Sequence, residues 1–131
     1  MKRISIILLI MLAMILLCSC GKTSVDEHSE VTVTFVYEDR NISVTLEAEE
    51  AEKVKDILTG NSYHSFFSGI PSCGFSENIS MKVGKRVFAI ACDTCNCIQD
   101  LSNLKYVDIP TEDMKYIHAL FEEYGGYFPC V

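Results

Sequence analysis

The feature that most constrains the fold is a pair of alternating segments on either side of Gly84-Lys85. Apolar side chains recur at every second position in both segments, and a period of two is the pattern of a half-buried β-strand. A two-residue connection with glycine first is typical of a type II′ turn, which joins antiparallel strands. The turn predicts a hairpin with Met81 opposite Phe88 and Ile79 opposite Ile90.

The remaining elements of the domain follow from similar patterns. A first hairpin is predicted from alternating apolar residues before and after a turn at 39–41. Two helices are predicted from apolar stripes, one over 48–58 and one that opens at Pro110-Thr111 and ends before Gly125-Gly126. A short fifth strand is expected within 104–109. The order ββαββ(β)α predicts one small α+β domain, with helices on one face of an antiparallel sheet.

The first twenty residues have the organisation of a secretory signal peptide. Lys2-Arg3 precede an apolar run at positions 4–17, and Leu17-Cys18-Ser19-Cys20 follow. This ending resembles the lipobox of bacterial lipoproteins. The resemblance implies cleavage after Ser19 and a diacylglycerol on the sulfur of Cys20. Cys18 fits the lipidated position less well, because the residue before it is the bulky Leu17. The alternative is an uncleaved anchor, but a run of about 21 Å is short of the ~30 Å hydrocarbon core.

These assignments predict three parts: a signal peptide at 1–19, a flexible tether at 20–30 and the α+β domain at 31–131. The expected location is the extracytoplasmic face of the cell membrane, with the lipid anchor as the contact to the membrane. Removal of the predicted signal peptide would remove Lys2 and Arg3. The remaining chain would have nine basic and eighteen acidic residues, a net charge of −9. Such a surface repels nucleic acid, so nucleic acid is not an expected partner.

Five cysteines follow the lipidated one, and the second hairpin brings most of them together. They are Cys73, Cys92, Cys95, Cys97 and Cys130. Structural disulfides suit an exported chain, and the hairpin makes a bond from Cys73 to Cys92 or Cys95 geometrically reasonable. The odd number leaves at least one thiol unpaired, and the sequence does not fix the connectivity.

Two other chemistries remain open for the same cysteines. Cys92 and Cys95 are spaced as a pair of zinc ligands, and Cys73 with Cys130 could complete a tetrahedral site. The same pair could instead be a redox-active dithiol, although such a site needs a helix start that the sequence does not offer. Zinc is therefore a possible cofactor, and no other cofactor is expected.

Beyond the lipobox, the run from the second hairpin through Ala91-Cys92-Asp93-x-Cys95 to the ending 124–130 resembles small uncharacterised lipoproteins of Gram-positive bacteria. That resemblance implies no activity, and the sequence contains no recognisable acid–base or nucleophile motif. The leading hypothesis is a non-catalytic domain that binds a peptide or an envelope protein. The alternative hypothesis is an extracytoplasmic metal-binding or thiol-redox protein that uses Cys92 and Cys95.

Overall fold

A computed structural model describes residues 21–65 and 69–128, which form a mixed α+β domain. Its order is ββαββββα. The strands are β1 (Val31–Tyr37), β2 (Arg40–Thr45), β3 (Ile79–Val83), β4 (Arg86–Ile90), β5 (Cys97–Asp100) and β6 (Lys105–Asp108), and the helices are α1 (Ala48–Gly60) and α2 (Thr111–Glu123). The predicted α+β class is confirmed. The position of Cys20 and the predicted signal peptide lie outside the described residues.

The six strands form one antiparallel sheet in the order β2-β1-β3-β4-β5-β6. The predicted register of the β3–β4 hairpin is confirmed, with Met81 opposite Phe88. Gly84 has a φ of +59°, which the turn requires. A side chain at this position would also meet the hydroxyl of Ser29, since a Cβ would lie 2.6 Å from it.

The hydrophobic core lies between the sheet and both helices. One face of β1 contributes Val31, Val33 and Phe35, each at most 1 % exposed. The helices add their buried stripes to the same cluster, which contains Ala51, Val54, Ile57 and Leu58 of α1 and Met114, Ile117, Leu120 and Phe121 of α2. Both helices therefore pack on the same cluster of core residues as this face of the sheet. Phe128 closes the cluster beyond α2, with its ring packed against Phe35 and Phe121.

The structure differs from the sequence prediction in the number and bounds of strands. The predicted single strand within 104–109 is β6, and β5 precedes it in a segment for which no strand was predicted. Ile98 is the only large aliphatic side chain in β5, so alternation is weak there. The first turn lies at Glu38-Asp39, one residue earlier than predicted, and Glu38 takes the positive φ of 54°.

The segment 21–30, predicted as a free tether, contacts the domain along its length. The backbone of Lys22 forms an isolated β-bridge with Ser62, and Thr23 is 2 % exposed. Lys55 donates hydrogen bonds to the carbonyl oxygens of Glu27 and Ser29. These contacts make the segment part of the folded unit, because its backbone acceptors are satisfied by side chains of the domain. No helix in the described ranges is both long and apolar enough to cross a membrane.

Candidate functional site

The loop before β3, residues 69–78, packs on the face of the sheet that the helices leave uncovered. The ring of Phe75 contacts the ring of Tyr106, with centroids 5.4 Å apart. The sulfur of Cys73 lies 4.0 Å from the sulfur of Cys97. Tyr106 and Cys97 alternate along their strands with core residues, so both point away from the helices. We call this segment the outer loop.

A disulfide between Cys73 and Cys95 holds the outer loop in place. The Cα atoms are 6.3 Å apart, within the range of disulfides, and the sequence separation is 22 residues. Cross-linking a loop of this length stabilises a domain by about 3 kcal/mol in the chain-entropy model. The hypothesis of a structural disulfide from Cys73 to the downstream cysteines is therefore consistent with the structure, which selects Cys95. The dithiol pair Cys92–Cys95 is not formed, because Cys95 is bonded to Cys73.

Cys97 is a buried thiol beside this disulfide. It is 4 % exposed and begins β5. Burial raises the pKa of the Cys97 thiol to about 11, and the nearby carboxylates of Asp108 and Asp93 add to the effect. Because the thiolate is the nucleophile in disulfide exchange, this raised pKa disfavours attack of Cys97 on the adjacent bond at neutral pH.

The turn between β4 and β5 gathers groups that bind metal ions. The ligand atoms of Cys73, Asp93 and Cys95 all lie within 4.8 Å of one another. Asp93 is not among the metal-ligand candidates predicted above, although a carboxylate between two cysteines offers zinc a further ligand atom.

Cys92, a metal ligand predicted from the sequence, is not a member of this group. Cys92 is half-buried just after β4, and its sulfur lies 3.8 Å from the carbonyl oxygen of Ile90. The metal-ligand set predicted from the sequence thus differs from the structure, which brings Asp93 rather than Cys92 to Cys73 and Cys95. Cys130 lies outside the described residues.

A groove of about 310 Å³ opens beside the outer loop. Its walls come from the end of β1, the start of β3 and the loop itself, and include Val36, Tyr37, Phe75, Ser76, Ile79 and Cys92. The wall between β1 and β3 is fixed, because the N–H of Val36 donates to the carbonyl oxygen of Asn78 at 2.7 Å. Tyr37 is 40 % exposed at the mouth of the groove. The groove thus presents a mainly apolar surface on a rigid frame.

The histidines form no acid–base pair with a nucleophile in the parts of the chain that the structure describes. His64 Nδ1 lies 2.8 Å from the carboxylate of Asp108. His118 stacks on Phe128, with ring centroids 4.0 Å apart, and burial lowers the pKa of His118. The stacking of His118 on Phe128 is that of a packing residue.

The groove can bind an apolar side chain. The cysteine and aspartate side chains beside the β4–β5 turn are ligands of the kind that a thiophilic metal ion prefers. Comparisons of the chain with profiles of known protein families, with curated proteins and with solved structures found no match. The function is therefore inferred from the geometry of these two neighbouring features.

Proposed function

We propose that the chain is a bacterial lipoprotein, anchored through Cys20 on the extracytoplasmic face of the cell membrane, whose domain binds a peptide or a segment of an envelope protein without catalysis. The observation that carries the binding function is the apolar groove beside the outer loop. The signal-like first twenty residues support the anchoring, and the disulfide between Cys73 and Cys95 is in keeping with an oxidising compartment.

The size and walls of the groove define what it can accept. About 310 Å³ is at the small end of ligand pockets, which is enough for one large apolar side chain. Phe75 and Ile79 offer apolar contact area, and exposed Tyr37 offers a ring with a polar tip. An aromatic anchor in such a pocket is the usual centre of a peptide interface.

The charge of the domain favours a basic segment on either side of that anchor. The whole chain has eighteen acidic and eleven basic residues. Glu38 and Glu77 each lie next in sequence to a residue of the groove wall. Acidic groups near an apolar pocket accelerate the association of cationic partners. This electrostatic attraction becomes weaker as the salt concentration rises. The preferred partner is therefore an apolar side chain flanked by lysine or arginine.

Fluorescence anisotropy with two labelled pentapeptides tests this function. One probe has a central phenylalanine between lysines, and its counterpart has the same residue between glutamates. We expect saturable binding of the lysine peptide that weakens with added salt, and no saturable binding of the glutamate peptide. Phe75→Ala should weaken binding of the lysine peptide by roughly tenfold or more, as loss of a pocket wall does.

Ile70→Ala is the matched control for Phe75→Ala. Ile70 lies in the same outer loop, is 83 % exposed and does not line the groove. Binding of the lysine peptide should be the same in this variant as in the unaltered chain. Equal loss in both variants, or equal binding of the two peptides, would contradict a groove that selects a basic partner.

A further inference from the structure

We infer that the outer loop and the β4–β5 turn together form a disulfide-gated site for a thiophilic divalent cation of the zinc class, held by Cys73, Cys95, Cys97 and Asp93. The site is separate from the binding function of the groove and does not depend on it. The inference rests on the positions of three sulfurs and one carboxylate that converge from two segments of the chain.

The distance between the sulfurs of Cys73 and Cys97 suits a tetrahedral metal centre. Thiolate sulfurs about 2.3 Å from zinc stand roughly 3.8 Å from one another in a tetrahedron. The sulfurs of Cys73 and Cys97 are 4.0 Å apart without a bond between them. A carboxylate oxygen of Asp93 lies within 4.8 Å of the sulfurs of both Cys73 and Cys95. Separation of the bonded pair of sulfurs, together with a shift of Cys97 toward Cys95 and Asp93, would let all four ligands surround one ion.

Local structure holds the ligands in position before any ion arrives. A carboxylate oxygen of Asp93 accepts a hydrogen bond from the backbone N–H of Cys95 at 2.9 Å, which fixes the turn in the manner of an Asx turn. Cys95 and Cys97 are two residues apart, just before and at the start of β5. Cys73 faces them from the outer loop.

The disulfide and the ion exclude each other. A dithiol reductant would transfer two electrons and two protons to the Cys73–Cys95 bond, leaving two thiols and becoming a disulfide itself. The cation would then replace the protons of three thiols, which leave to solvent, and the ionised Asp93 would complete the set. With the bond intact, only Cys97 and Asp93 remain as donors.

Metal analysis of the full chain in detergent, with and without reduction by a phosphine, tests the site. We expect about one Zn²⁺ per reduced chain after removal of loosely bound ion, and none per oxidised chain. Co²⁺ is the spectroscopic probe, since its thiolate charge-transfer absorption reports coordination by sulfur. If reduction alone unfolds the domain, recovery of the circular dichroism spectrum at one equivalent of Zn²⁺ supports the same conclusion.

Variants identify the ligands. Cys97→Ser should weaken Zn²⁺ binding by at least about tenfold and reduce the Co²⁺ charge-transfer band. Asp93→Asn should also weaken binding while it keeps the oxygen that accepts the N–H of Cys95, so it remains informative if Cys97→Ser fails to fold. Thr94→Ala is the matched control within the turn and should bind Zn²⁺ like the unaltered chain.

Three results would overturn the assignment. The first is equal Zn²⁺ binding by the oxidised and reduced chains. The second is a folded, reduced chain that binds no Zn²⁺ and gives no thiolate band with Co²⁺. The third is a loss of binding in Cys92→Ser with none in Cys97→Ser, which would place the ion on a different set of cysteines.

Discussion

Asp100 is a charged residue that is buried in the domain and has several polar partners. Its side chain is fully buried and pairs with Arg86. The same carboxylate accepts hydrogen bonds from the hydroxyl of Tyr63 at 2.8 Å and of Ser102 at 2.6 Å. Burial acts to raise the pKa of Asp100, but the hydrogen bonds from Ser102, Tyr63 and Arg86 outweigh it and hold the pKa below the ordinary value of 3.8. A buried charge is tolerated here because each oxygen has partners.

Asp100→Asn should lower the free energy of unfolding at pH 7 by about 3 kcal/mol, because it leaves Arg86 without its partner. The pKa of Asp100 is lower in the folded chain, so its charge stabilises the fold above pH 3.8 and this contribution disappears as the pH falls through the folded pKa. In Asp100→Asn, the free energy of unfolding lacks this pH-dependent contribution. Urea unfolding from pH 7 downward measures both effects. Asp56→Asn, at an exposed position of α1, is the control, and equal losses in the two variants would contradict the prediction.

At the scale of elements, the hairpin β3–β4 and the strand β5 show what the sequence can and cannot predict. The hairpin is predictable because alternation and a glycine turn agree, and both are local signals. The strand β5 is not, because Cys97 is buried next to the outer loop and Asp100 is buried by its pairing with Arg86. The sequence also does not determine the disulfide partner of Cys73. The shape of the β4–β5 turn decides among Cys92, Cys95 and Cys97, and that shape depends on tertiary contacts.

The outer loop depends on its disulfide. Cys73→Ser combined with Cys95→Ser should lower the free energy of unfolding by about 3 kcal/mol and leave the sheet intact. The loop should then open more often, because Phe75 on Tyr106 is the main remaining ring contact. Faster chymotryptic cleavage after Phe75 measures the opening, and the urea midpoint measures the stability. Ser72→Ala is the control in the same loop. An unchanged cleavage rate in the double variant would show that packing alone holds the loop.

At the scale of the whole molecule, the boundary of the folded unit lies earlier than the sequence suggests. The residues 21–30 carry no apolar periodicity, so sequence patterns predict a spacer. In the structure the guanidinium of Arg86 donates to the carbonyl oxygen of Ser24, and Lys55 donates to two further carbonyls. A backbone carbonyl is present at every residue, so a hydrogen bond to it produces no recognisable pattern in the sequence. These contacts could therefore not be predicted. They also shorten the link between the domain and Cys20.

The proposed anchoring is a property of the complete chain. Cys20→Ser should abolish incorporation of labelled palmitate and release the protein from membranes, because we propose that the lipid anchor is attached to this sulfur. Cys18→Ser should keep both the label and the membrane location, since that residue leaves with the signal peptide. Membrane fractionation and radiolabelling in a bacterial host measure the two properties. Equal labelling of the two variants would show that the lipid, if present, is on another residue.

The strand order has a consequence for the chain as it is made. Strands β3, β4 and β5 each pair with the next strand along the sequence, so the part of the sheet from β3 to β6 forms through local contacts that favour fast folding. β1 can pair with β2 as soon as β2 has been synthesised. The other edge of β1 remains unpaired until β3 has been synthesised, after α1 and the outer loop. During synthesis, which proceeds from the N-terminus, an open strand edge that carries Val33 and Phe35 is therefore exposed for the whole of that interval. Slower translation across residues 48–78 lengthens the time in which two nascent chains can pair through β1.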